Sequence, residues 1–76
     1  MDDKQYLIKL GERIKHLRKD KIMRQIDLAE KIGIEDSALR RIESGRVNST
    51  INMLRKIAKG LEVDVIELIN NIENKG

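Results

Sequence analysis

The run Leu28-Ala29-Glu30-Lys31-Ile32-Gly33-Ile34 constrains the fold of this chain more than any other. Leu28 and Ile32 stand one helical turn apart, the spacing of a single apolar face. Gly33 follows at once and ends that helix, because glycine takes the left-handed conformation without a Cβ penalty. A second apolar set, Ala38, Leu39 and Ile42, begins soon afterwards and stops before Gly45. The stretch therefore predicts two short helices joined by a sharp turn. Ala29 is the small residue at their crossing, and Ile34 is the buried residue of the turn.

Similar periodicity accounts for the rest of the chain. Tyr6, Leu7, Leu10, Ile14 and Leu17 predict a first helix over 4–20, with Asp2 or Asp3 as its cap. Gly11 lies inside this stripe, where it weakens the helix by about 1 kcal/mol relative to Ala and permits close packing. The second helix is expected over 24–32. The third is expected from Glu35 or Asp36 to Ser44, with Gly45 as its stop. Ser49 or Thr50 caps a fourth over about 50–59, with Ile51, Leu54, Ile57 and Ala58 inward and Gly60 closing it. A fifth, capped by Asp64, is expected over about 63–72. No strand pattern, internal repeat or linker interrupts this series. The expectation is one all-α domain of five helices over 1–76, with the paired helices at about 25–44.

Composition excludes several functional classes. The chain lacks cysteine, proline, tryptophan and phenylalanine and has one tyrosine, so the core must be aliphatic. Without thiols there are no disulfides or thiolate metal sites, which fits a reducing cytoplasm. The single histidine, His16, is a surface or packing group. Ser37 and His16 form no catalytic pair, and the carboxylates are helix-surface charges. With no nucleophile arrangement, metal set or phosphate-binding glycine loop, the chain is not expected to be an enzyme. No cofactor, metal or small-molecule ligand is expected. No apolar run approaches the roughly 20 residues that span a bilayer, so no membrane partner is expected and a cytoplasmic location follows.

Charge is more informative. The net charge is +3. Residues 60–76 carry Glu62, Asp64, Glu67 and Glu73 against Lys75, which is −3, so residues 1–59 carry +6. The basic part contains the paired helices, and this polarity suits a polyanion. With the apolar positions buried, Glu35, Asp36, Ser37, Arg40 and Arg41 point outward from the third helix. Such groups can reach base edges or phosphates of double-stranded DNA.

At this point the residues resemble a known family. Leu10-Gly11-Glu12-Arg13-Ile14-Lys15, Leu17-Arg18, Gln25, Leu28-Ala29 and Gly33-Ile34 are similar to the lambda-repressor-like, Cro/Xre-type helix-turn-helix proteins. So are Arg41-Ile42-Glu43-Ser44-Gly45-Arg46, Leu54-Arg55-Lys56-Ile57-Ala58 and Leu61-Glu62-Val63. The resemblance covers Leu10 to Ile69 and is specific in combination rather than in any one piece. It implies a sequence-specific DNA-binding transcription regulator that acts as a homodimer on a palindromic operator. Stand-alone members include restriction–modification controller proteins and phage-type repressors. Asp36, Ser37 and Arg41 match the base-reading positions, with Glu35 at the N-cap and Arg40 beside them. Gln25, Ser44, Arg46, Asn48 and Thr50 match phosphate-binding positions. Arg18 and Glu43 match a structural salt bridge.

Departures from the pattern matter as much. Arg24 replaces the usual Ser or Thr cap of the second helix, which removes a cap and offers a further phosphate contact. Ile22 replaces a glycine before that helix, and Ser49 replaces a frequent proline. Glu35 and Asp36 stand where neutral or basic residues are usual; a carboxylate repels phosphate but accepts a hydrogen bond from cytosine N4. The fifth helix carries more apolar residues than one core stripe needs, and Val65, Ile66, Ile69 and Ile72 are expected to form a dimer seam. The alternative function is a protein-interaction module, an antitoxin or adaptor, that uses the same fold.

Overall fold

The structure, a computed structural model, describes residues 2–70 and 72. Five helices follow one another: α1 (Asp3–Asp20), α2 (Gln25–Ile32), α3 (Asp36–Glu43), α4 (Ile51–Leu61) and α5 (Val65–Ile69). There is no strand among the described residues. Asp2 caps α1 through Oδ1, which accepts from the Gln5 N–H at 2.8 Å. Thr50 caps α4 in the same way, its hydroxyl oxygen accepting from the Met53 N–H at 3.0 Å.

The helices pack α1 against α3, α4 and α5, α2 against α3 and α4, and α4 against α5. Ile14, Leu28, Leu39, Ile57, Leu61 and Leu68 are fully buried where these faces meet. Tyr6, Met23 and Met53 are partly buried against this cluster. Burial of such aliphatic groups contributes about 1.5–3 kcal/mol per side chain and is the main force holding the helices together. Gly11 lets α1 lie on the end of α3, because a Cβ there would overlap the carbonyl oxygens of Ile42 and Glu43.

Two expectations about helix ends are corrected. Gly60 does not close α4. It lies inside the helix, buried, and a Cβ would meet Ile32 and Leu28 of α2. Gly60 is therefore a close-packing residue, and Glu62 ends α4 in the left-handed region at φ 61°. The fifth helix is also shorter than the expected 63–72. It spans five residues and stops at Asn70, whose backbone is extended. Asp64 precedes it without a capping hydrogen bond from its side chain.

Four helices end in the same way, with a left-handed residue and a hydrogen bond that reaches five residues back. These bonds run from Met23 to Arg18, Ile34 to Ala29, Arg46 to Arg41 and Val63 to Ala58, at 3.0–3.2 Å. They satisfy carbonyls that the last turn would leave free. The left-handed residue is Gly33 after α2 and Gly45 after α3, but Ile22 after α1 and Glu62 after α4. Ile22 is a β-branched residue at φ 57°, a strained conformation, and its side chain is 91% exposed, so packing offsets little of the strain.

Ile22→Gly is therefore expected to stabilise the protein. Relief of roughly 1–2 kcal/mol of left-handed strain exceeds the added chain entropy of glycine, roughly 0.5–1 kcal/mol. The thermal midpoint, followed by circular dichroism, should rise by about 4–8 °C per kcal/mol gained. An unchanged or lower midpoint would show that position 22 is unstrained.

Candidate nucleic-acid interface

The α2–α3 pair is pinned at both ends. Gly33, at φ 77°, turns the chain between the helices, and no atom lies within 4 Å of where its Cβ would sit. The turn thus needs glycine for its backbone conformation rather than for space. At the far end the Gln25 amide donates to Glu43 Oε1 at 2.9 Å. Glu43 also receives Arg18 in a bidentate pair, Nε to Oε2 at 2.7 Å and Nη2 to Oε1 at 3.0 Å. The remaining Arg18 nitrogen, Nη1, donates to the Met23 carbonyl at 2.7 Å. Arg18 and Glu43 are both buried, with side chains 6% and 3% exposed. Removing one partner of such a pair typically costs about 3–5 kcal/mol, so this cluster is structural.

Gln25 was expected at a phosphate. Its side chain is instead turned inward to Glu43, leaving at most one amide hydrogen for a ligand. Ser44 was also expected to grip a phosphate. Its hydroxyl donates to the Arg41 carbonyl at 3.0 Å, and its N–H bonds the Arg40 carbonyl. Both Ser44 donors are used within α3, so in this conformation it presents only an acceptor, which suits no phosphate oxygen.

Arg40, Arg41 and Arg46 are exposed and form no ion pair among the described residues. Arg40 and Arg41 lie in the last turn of α3, and Arg46 opens the loop to α4. Asn48 and Thr50 are exposed along the same loop. Thr50 uses its oxygen as an acceptor for the α4 cap, so its hydroxyl hydrogen remains available to an anion. Glu35 and Asp36 are exposed at the start of α3, and Ser37 is half-buried behind them. Glu35 makes no capping bond to α3; its carboxylate lies 3.5 Å from the Ser37 hydroxyl. The outer face of α3 thus runs from acidic at its beginning to basic at its end.

Arg24 precedes α2 and is strongly exposed, at 79%, yet its charge is engaged. Asp27 accepts from Arg24 Nε at 3.0 Å, from Nη2 at 2.9 Å and from the Arg24 N–H at 2.8 Å. Sequence reasoning missed Asp27, although its place three residues after the N-cap is the spacing of a capping box. It also missed Arg13, whose Nε donates to the Glu67 carbonyl at 2.8 Å and ties α1 to α5. No sequence pattern marks that contact.

The expected dimer seam divides. Ile66 is 60% exposed, whereas Ile72 is buried in the chain's own core at 6%. Val65 and Ile69 are half-buried against that core. Ile72 is thus a core residue here rather than a free seam residue, and Ile66 is the exposed apolar group of α5. No helix among the described residues is long and apolar enough to cross a membrane.

A helical pair closed by Gly33, set on three further helices, defines a helix-turn-helix domain, and the helix-turn-helix family profile matches residues 14–68. The chain belongs to this family. Among its relatives, the transcriptional regulator SinR of Bacillus licheniformis is 40% identical over 62 residues, covering 80% of this chain and 56% of SinR. The control protein C.MunI of Mycoplasma sp is 33% identical over 69 residues, covering 90% of this chain and 93% of that protein. The chain spans less than two thirds of SinR and 42% of the immunity repressor of Bacillus phage phi105. Among solved structures, the controller protein C.Esp1396I, crystallised as a tetramer on its natural 35-base-pair operator, superposes with a TM-score of 0.80. It is 35% identical, and the match covers 91% of each chain.

The Arg24–Asp27 contact has a measurable signature. The hydrogen bonds from the Arg24 side chain, then from its N–H, hold the Asp27 carboxyl below its ordinary 3.8. A carboxyl lowered on folding stabilises the native state above the unfolded value, and that contribution fades as pH falls through the folded value. Titration of the Asp27 carboxyl by NMR should give a midpoint below 3.8, and Arg24→Ala, which removes the side-chain bonds but keeps the backbone N–H, should raise it part of the way back. A midpoint insensitive to Arg24→Ala would dismiss the contact in solution.

Proposed function

We propose that this protein is a sequence-specific transcription regulator that binds operator DNA as a homodimer, with α3 in the major groove. The observation that carries the reading is the outer face of α3. Arg40 and Arg41 are exposed without an ionic partner among the described residues, on a short helix fixed at one end by Gly33 and at the other by Glu43. Base readout requires polar groups held rigidly at a groove, because each imprecise contact loses discrimination. In this reading Arg41, Ser37 and Asp36 face bases, with Arg40 and Glu35 beside them. Arg46, Asn48 and Thr50 serve phosphates, Arg24 is engaged by Asp27 in the free protein, and Gln25 and Ser44 act mainly in support of the fold.

The C.Esp1396I operator complex supports this reading by analogy over nearly the whole chain. Together with C.MunI, it favours a regulator of the controller type. The dimer seam is assigned to Ile66, flanked by Val65 and Ile69. Two-fold pairing would set half-sites about 34 Å apart, one helical turn of DNA. Sedimentation with and without operator tests the pairing, and the absence of any dimer at micromolar concentration would overturn it.

Selection from random duplex DNA should return a palindromic site. Against that site, Arg41→Ala is expected to cost about 1–3 kcal/mol and to relax preference at one base position. Asp36→Ala should change base preference without weakening non-specific binding. Log affinity should fall linearly with log salt, by about 0.9 per phosphate contacted. Salt-independent binding, or no enrichment of any duplex, would exclude this function and favour a protein partner.

A further inference from the structure

Arg24 and Asp27 lie at the entrance to α2 and form the densest exposed charge contact among the described residues. One carboxylate satisfies three donors of one residue: Nε, Nη2 and the backbone N–H of Arg24. The Arg24 side chain as a whole nevertheless remains 79% exposed. A DNA phosphate and a carboxylate make the same demand on guanidinium, a planar fork of two N–H groups facing two oxygens. Asp27 already occupies the fork that a phosphate would need. The neighbouring residue, Gln25, is tied to Glu43 at the end of α3, which puts the Arg24–Asp27 contact beside the end of the reading helix.

We propose that Asp27 is an internal competitor for the DNA backbone: it holds Arg24 in the free protein and lowers affinity for duplexes of every sequence. This rests on the DNA-binding function proposed above and assigns it a further tuning residue. To contact a phosphate, Arg24 must exchange one anion for another. The released Asp27 carboxylate then stands near the phosphate and repels it. The net gain from Arg24 is accordingly small in the wild-type protein, although its side chain is long, exposed and charged. A free arginine at the same position would add a full phosphate contact.

A double-mutant cycle on a non-specific 20-base-pair duplex tests this at several salt concentrations. Asp27→Asn keeps an oxygen for the Arg24 N–H but removes the charge that holds the guanidinium. It should tighten binding at low salt by about two- to fivefold, the range spanned by exposed ion pairs. It should also steepen the log–log salt slope by about 0.9, one additional phosphate. Arg24→Ala alone should change affinity little, and in the Asp27→Asn background it should abolish the gain. Circular dichroism monitors folding, and Asp27→Ser, which also keeps an oxygen acceptor, replaces Asp27→Asn if that variant unfolds. An equal gain from Asp27→Asn with Arg24 absent would overturn the proposal, since plain loss of negative charge would then explain it. A wild-type protein that binds no duplex would instead remove the DNA-binding reading itself.

Discussion

The buried Arg18–Glu43 pair is the contact on which the placement of α3 depends. It gathers the end of α1, the loop at Met23, the start of α2 through Gln25, and the end of α3. Burying two charges is costly unless their hydrogen-bonding capacity is filled. Here each guanidinium nitrogen has an acceptor, and both carboxylate oxygens receive donors. The arrangement contributes orientation more than net stability, because an apolar pair of similar volume could fill the space without the desolvation cost. What an apolar pair could not do is fix Gln25 at a defined distance from α3. With Gly33 at one end and Glu43 at the other, the angle between α2 and α3 is held twice.

Small size makes the helix ends unusually important. In short helices much of the backbone belongs to a first or last turn, where hydrogen bonds are unsatisfied. The repeated ending, with its bond from five residues downstream, saves carbonyls that would otherwise need water. It demands a left-handed residue each time, and only Gly33 and Gly45 meet that demand freely. Ile22 and Glu62 meet it under strain. The tertiary contacts around them dictate where the chain must turn, and local preference yields. At Ile22 the turn also delivers the Met23 carbonyl to Arg18, which links the strained residue to the buried ion pair.

Much of this fold was legible in the sequence because apolar residues repeat at helical spacing and Gly33 falls where one helix must stop. The misreadings have physical causes. A glycine at the end of an apolar stripe looks alike whether it caps a helix or admits a neighbour. Gly60 does the second, and only the positions of Leu28 and Ile32 reveal it. Residues 63–72 are apolar enough for a long helix, yet the chain leaves the helix at Asn70, and Ile72 still reaches the core from outside it. The outward face of α3 could be read from Ala38, Leu39 and Ile42 alone. The inward turn of Gln25 could not, since an amide serves a phosphate or a buried carboxylate equally well.

Around α3, carboxylates are interspersed with the arginines rather than leaving a uniform basic field. Asp27 holds Arg24, while Glu35 and Asp36 precede Arg40 and Arg41 on α3. At physiological salt, exposed charges act over about 8 Å, so a nearby carboxylate strongly reduces what an arginine offers a passing phosphate. Under the proposed function, such a surface would attract arbitrary DNA weakly. Tight binding would then come from contacts made only in register, together with the doubling that two copies on two half-sites provide. On that reading, a regulator built in this way would depend on dimerisation for affinity and on α3 for choice. The rigid placement of α3 by Arg18, Glu43 and Gly33 would then serve binding as well as folding.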